Sequence, residues 1–147
     1  MYKFGNRSRE RLDSCHPDIQ LIMNEVIKQF DCSIIEGIRT QERQVRLFAE
    51  GKTTLDGTTK KSKHQANNGI SMAVDVYPYP VNWEDTPSFF FMAGLVKSTA
   101  ESLYNQGLVA HKIRWGGDWN GNNDFKDQTF DDLPHFELIK SKTNLNY

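Results

Sequence analysis

The chain has little with which to cross-link itself: two cysteines, Cys15 and Cys32, in 147 residues. The two could form one disulfide, but without an export signal reduced thiols are expected, and neither falls into a CxxC-type spacing with the histidines, which argues against a thiolate metal site. Long apolar runs are also missing. The longest, FFFMAGLV, is far short of the roughly 20 residues that a membrane-spanning helix needs, so no membrane insertion is expected. The opening MYKFGNRSRERL lacks the apolar segment of a secretory signal, and a protein made and kept in a cytoplasm is expected. No charge of one sign dominates either. With 18 Lys and Arg against 19 Asp and Glu, the net charge of -1 gives bulk electrostatics no hold on nucleic acid. There are no repeats and no low-complexity or linker-like stretches, and the length suits one domain.

What is present reads as a mixture of helices and short strands. After a polar lead, Pro17 opens a helix whose apolar residues Ile19, Ile22, Met23, Val26, Ile27 and Phe30 follow the rhythm of one buried face. CSIIEGIRT predicts a strand ending at Thr40, which caps a helix over QERQVRLFAE that Gly51 terminates. Residues 51 to 63, rich in Gly, Thr and Lys, predict an exposed loop. MAVDVY alternates, with Met72, Val74 and Val76 facing the core and Ala73, Asp75 and Tyr77 facing away. A helix follows from a Thr86 cap and Pro87 to Gly107, with Phe89, Met92, Ala93, Val96 and Leu103 inward. VAHKIRW and HFELI predict two more strands; His111, on the first, reads as structural or surface. In the second, His135, Glu137 and Ile139 oppose Phe136 and Leu138. The fold class expected is α+β, a small antiparallel sheet with helices packed on it.

The chemistry concentrates in two places. SKHQANNGISMAVDVYPYP places His64 and Asp75 on either side of an Asn- and Gly-containing turn, and FDDLPHFELI supplies His135. Two imidazoles and one carboxylate are ligands that zinc accepts, and three protein ligands leave a position open for water, as in catalytic rather than structural sites. Such a site needs a base close to the metal and not bound to it. Asp132 and Asp131 both precede His135 closely enough, and spacing alone does not separate them. On a straight strand, positions 132 and 135 point to opposite faces; Pro134 predicts that the strand starts only at about His135, so that Asp132 curls back from the loop. Arg39, at the end of the first strand, is well placed to enter a cleft.

These residues resemble the motifs of the zinc peptidoglycan peptidases, the D-alanyl-D-alanine carboxypeptidase and L-alanyl-D-glutamate endopeptidase family, which shares its metal-site fold with hedgehog signalling domains. The matching segments are Ser62-Lys-His64, Ala73-Val-Asp75 and Asp132-Leu-Pro-His135, with KFGNRSRERL, EGIRT and WGGDW similar to phage endolysins of that family. The resemblance implies zinc on His64, Asp75 and His135, Asp132 as general base, and Arg39 holding a substrate carboxylate or the developing oxyanion. It departs in spacing: the family pattern SxHxxGxAxD is shorter between His and Asp, and its glycine falls here on Ser71. The extra residues would loop out around Asn67, Asn68 and Gly69. An aspartate base, where many carboxypeptidases carry glutamate, leans toward the endolysins. The implied function is cleavage of the cell-wall stem peptide at the L-alanyl-D-glutamate bond, by a monomeric phage enzyme without a separate wall-binding module. It would wait in the host cytoplasm for a holin to open the membrane, then act on peptidoglycan. The alternatives are a D-alanyl-D-alanine carboxypeptidase and, in another class, a non-catalytic zinc-bearing wall-binding domain.

One loop stands apart. Asp118, Asn120, Asn122 and Asp124 alternate as the first half of a calcium loop does, but Asn123 replaces the glycine and Thr129 the closing glutamate. An ordinary Asx-rich turn and a calcium site that orders the path to Asp132 both stay open.

Overall fold

A computed structural model describes the protein over residues 1–140. Along the chain lie α1 (Asn6–Asp13), α2 (Pro17–Val26), β1 (Cys32–Glu36), α3 (Gln41–Ala49), β2 (Ala73–Pro78), α4 (Thr86–Asn105), β3 (Lys112–Gly116) and β4 (Asp132–Ile139). The strands form one antiparallel sheet in the order β1-β2-β4-β3, so the fold is α+β as expected. No described helix is long and apolar enough to cross a membrane.

Period-two alternation divides the sheet into two chemically different faces. Ile34, Val74, Val76, Phe136 and Leu138 are buried against the stripes of α2 (Ile19, Ile22, Met23, Val26) and α4 (Phe89, Met92, Ala93, Val96, Leu103). The intervening residues Asp75, Tyr77, His135 and Glu137 project from the other face. The two thiols are unpaired and buried, and burial pushes both up to about 12, so neither is a reactive thiolate.

Four details differ from the sequence expectation, each for a local reason. The polar lead contains α1, which has only Ser8 and Leu12 buried and so shows no apolar stripe. It docks instead through polar groups on the edge strand. Ser8 Oγ accepts the Ile34 N–H at 3.0 Å and Arg11 donates to the Ile34 carbonyl at 3.1 Å, satisfying both backbone groups of that residue. β1 stops at Glu36 rather than Thr40, because Gly37 is pressed against α1; a Cβ there would lie 2.3 Å from the Arg11 carbonyl oxygen. Thr40 does cap α3, accepting from the Arg43 N–H. The cap of α4 is Asp85, whose carboxylate accepts from Ser88, and not Thr86. Finally, β4 begins at Asp132 rather than His135, with Pro134 inside it.

That last difference shapes the site. On β3, Trp115 pairs with Phe136 and the next residue, Gly116, pairs with Asp132, so the register slips at this point. Such a bulge bends the strand and re-aims side chains. It turns Asp132 to the same side as His135, which a regular strand would not allow. Gly116 makes room: a Cβ on it would lie 2.1 Å from the Asp132 carbonyl oxygen.

Candidate metal centre

His64, Asp75 and His135 meet on the open face of the sheet. Asp75 and His135 are paired residues on neighbouring strands, β2 and β4. His64 arrives from the loop before β2, its carbonyl accepting the Arg39 N–H at 2.8 Å. The longer His-to-Asp connection is taken up by a two-residue turn. Asn68 and Gly69 both have positive φ, 53° and 84°, and Asn67 and Ile70 exchange both backbone hydrogen bonds across them. This is the Asn-Gly hairpin turn that such backbone angles favour. Ser71, at the family glycine's position, is fully buried and its backbone bonds to Ser14 and His16.

Three atoms form a nearly equilateral triangle. His64 Nε2, Asp75 Oδ1 and His135 Nδ1 are each 3.2 Å from one another. Ligands about 2.0–2.1 Å from a tetrahedral zinc stand about 3.3 Å apart, so the triangle has the size of one face of such a site. The protons point away from it. His64 Nδ1 lies 2.8 Å from the Gly37 carbonyl, which can only accept, and this fixes the N–H there and the lone pair on Nε2. His135 Nε2 lies 2.9 Å from Glu137 Oε1, which fixes the other tautomer in the same way. Two lone pairs and a carboxylate oxygen thus face one another, an arrangement that calls for a cation. Without one, a proton takes its place. Burial lowers the His135 pKa, but the bonds with Asp75 and Glu137 outweigh it and raise the group to about 9. Burial opposes ionisation of Asp75, yet the two imidazoles hold it well below the usual carboxylate range.

Around the triangle lies a second set of residues. Glu137, 5 % exposed, is held by Arg114 at 2.8 Å; the pattern His-x-Glu on one strand face was its signal in the sequence. Arg39 Nε and Nη2 bond Glu36, and Nη1 bonds the buried Gln44. These use three of the five guanidinium N–H groups, and Nη2 comes within 3.9 Å of Asp75 Oδ2. Glu36 and Gln44 stand in EGIRT and the helix after it, where nothing but proximity to Arg39 marked them. Asp132 Oδ2 lies 4.0 Å from His135 Nδ1. Burial and the charge of Asp75 raise its pKa. Asp131, the other base left open by spacing, is exposed and bonded to Gln128. Trp119 of WGGDW leans on the His135 ring, with centroids 5.5 Å apart, and its indole N–H donates to the Phe130 carbonyl.

The Asp/Asn loop is bonded within itself. Asp118, 2 % exposed, accepts from the backbone N–H groups of Asn122 and Asn123, with Lys97 at 3.6 Å. Asn122 accepts from Asp124 N–H, and the amides of Asn120 and Asn122 both donate to Asp127. Among the described residues, one other trio of His, Cys, Asp or Glu brings ligand atoms together, namely His16, Asp18 and His111.

The chain's likeness to known proteins follows the same lines. The model of a family described as phage L-alanyl-D-glutamate peptidase matches residues 1–139. The L-alanyl-D-glutamate peptidase of Escherichia phage T5 is 29% identical over 147 residues, covering 94% of this chain and 98% of that protein. The crystal structure of the Serratia marcescens L-Ala D-Glu endopeptidase ChiX superposes with a TM-score of 0.68 at 25% identity, covering 93% of this chain and 90% of the other. The chain belongs to the phage L-alanyl-D-glutamate peptidase family.

Proposed function

We propose that this domain hydrolyses the L-alanyl-D-glutamate bond of the peptidoglycan stem peptide, with zinc held by His64, Asp75 and His135. The observation that carries the reading is the triangle of lone pairs with an unligated carboxylate, Asp132, beside it. Zinc bound there supplies a Lewis acid for the scissile carbonyl and brings the pKa of a water toward about 7. The chain's own residues do the rest. Asp132 takes the proton of the attacking water and delivers it to the amine of the departing D-glutamate. Arg39, its fork braced by Glu36 and Gln44, directs its remaining N–H groups at the substrate carboxylate or the developing oxyanion. Glu137 holds the His135 ring in register, and Trp119 covers one side of it.

The setting we propose is a phage endolysin: a monomer kept in the host cytoplasm until a holin opens the membrane, with residues 1–147 acting as one catalytic domain. The phage source of the T5 relative supports the phage part of this setting. For Asp118, Asn120, Asn122 and Asp124 the reading favoured is an Asx-rich turn, since their oxygens accept from the loop's own backbone, and a calcium ion there stays the alternative. Chelating the zinc-loaded enzyme and restoring Ca²⁺ separately tests it; activity indifferent to Ca²⁺ leaves only Asx turns.

Digestion of purified cell wall, followed by mass spectrometry of the fragments, tests the bond assignment. New N-terminal D-glutamate is the expected product. Free D-alanine would make the enzyme a carboxypeptidase, and zinc binding without cleavage would make it a binding module.

A further inference from the structure

The open face of β2 does not end at the metal triangle. Tyr77 projects from the same face as Asp75, two residues further along the strand and therefore about 7 Å away. Its ring is partly buried and meets Phe89 edge-on, with centroids 6.0 Å apart. Beyond it stands Trp83. Its indole meets Tyr77 edge-on at 4.5 Å and stacks on Phe89 at 5.9 Å with an interplanar angle of 18°. One face of the indole is thus backed by the core, yet the residue is 61% exposed. An aromatic packed on one face and open to water on the other is a ready stacking surface for a flat ligand.

The chemistry of the substrate says what lies at that distance. The L-alanine of the scissile bond is joined to the lactyl group of N-acetylmuramic acid, so the sugar begins about two residue lengths, roughly 7 Å, from the carbonyl being attacked. Arg39 stands on the other side of Asp75. In the β1–β2 register Ser33 faces Tyr77 and Glu36 faces Asp75, and Arg39 lies three residues beyond Glu36. The acidic side of the substrate and its sugar side therefore have separate places along one strand.

We propose that the open face of the Trp83 indole, flanked by Tyr77, is the seat of the N-acetylmuramic acid pyranose ring that carries the scissile L-alanine. This rests on the assignment of the L-alanyl-D-glutamate bond. The apolar C–H face of the sugar lies on the ring.

The test compares N-acetylmuramoyl-L-alanyl-D-isoglutamine with L-alanyl-D-isoglutamine, which carry the same bond with and without the sugar. Wild type is expected to favour the sugar-bearing substrate in kcat/KM by roughly fivefold to tenfold. W83A should bring that ratio close to one, chiefly through KM, and W83Y should restore part of it. A ratio unchanged in W83A overturns the proposal, as does an equal loss on both substrates. Should W83A fail to fold, the ¹⁵N NMR signal of the Trp83 indole in the wild type, assigned with W83F, decides. It should move on addition of the muramoyl dipeptide and not of the bare dipeptide. An indole signal that stays still, or that shifts with protein concentration alone because a second copy covers the face, overturns the proposal. A wild type that cleaves neither dipeptide nor wall counts against the bond assignment, while the NMR measurement still judges the sugar seat.

Discussion

Two His–Asp–His groups occur among the described residues, and they are built to opposite ends. In His64, Asp75 and His135, each imidazole gives its proton to an acceptor outside the trio, so the inner atoms face one another as bare lone pairs at 3.2 Å. In His16, Asp18 and His111 the hydrogen bonds are made inside the group. Asp18 Oδ2 accepts from the N–H groups of Ala110 and His111 and from His111 Nδ1, while His16 Nδ1 accepts the Asp18 N–H and caps α2. The first group calls for a cation; the second is a staple joining the start of α2 to the start of β3. Residue type and proximity are the same in both. The position of the protons, set by the surrounding residues, separates them.

This contrast is open to several tests. The largest effect is expected at the triangle itself, where H64A, D75A or H135A should lose zinc and reduce wall cleavage to background, measured by metal analysis and turbidity. Replacing Asp132 by Ala should lower kcat by about 10²–10⁴ while zinc content stays at one per chain. Asp132 lies at the triangle without belonging to it, and zinc loss in D132A would contradict that. E137A should weaken zinc affinity by about 10–100-fold, read by competition with a chelating dye, because the His135 ring loses the partner that orients it. D18A should do the reverse. Zinc and activity should persist while unfolding in urea shows a loss of about 1–3 kcal/mol, the cost of the staple's bonds to a charged group.

A pH series sharpens the comparison further. In the metal-free protein the His135 pKa is raised from 6.5 to about 9. Its protonated form therefore favours the fold fully below about pH 6.5, and that contribution disappears as pH rises through 9. A bound ion replaces the proton and removes the loss. The difference in melting temperature between zinc-loaded and zinc-stripped protein should therefore widen as pH rises from 6.5 to 9. A constant difference would mean that the ion and the His135 proton do not compete.

Much of the site was legible in the sequence because its ligands sit on strongly patterned strands. The alternation of MAVDVY and HFELI put Asp75 and His135 on the polar face before any pairing was known, and Asn68-Gly69 announced the turn that absorbs the longer His-to-Asp connection. What stayed hidden depends on contacts far apart in sequence. α1 has no apolar stripe because it docks through Ser8 and Arg11 onto β1. The bulge opposite Gly116, which turns Asp132 toward His135, follows from pairing between strands and not from the spacing of DDLPH. His111 gave no ligand spacing because its partner, Asp18, lies 93 residues away.

The most direct measurement is anomalous diffraction at the zinc absorption edge from crystals of zinc-loaded protein. One strong peak is expected, bonded to His64 Nε2, Asp75 Oδ1 and His135 Nδ1, and none at His16, Asp18 and His111. A peak at the second group, or none at the first, would contradict that expectation.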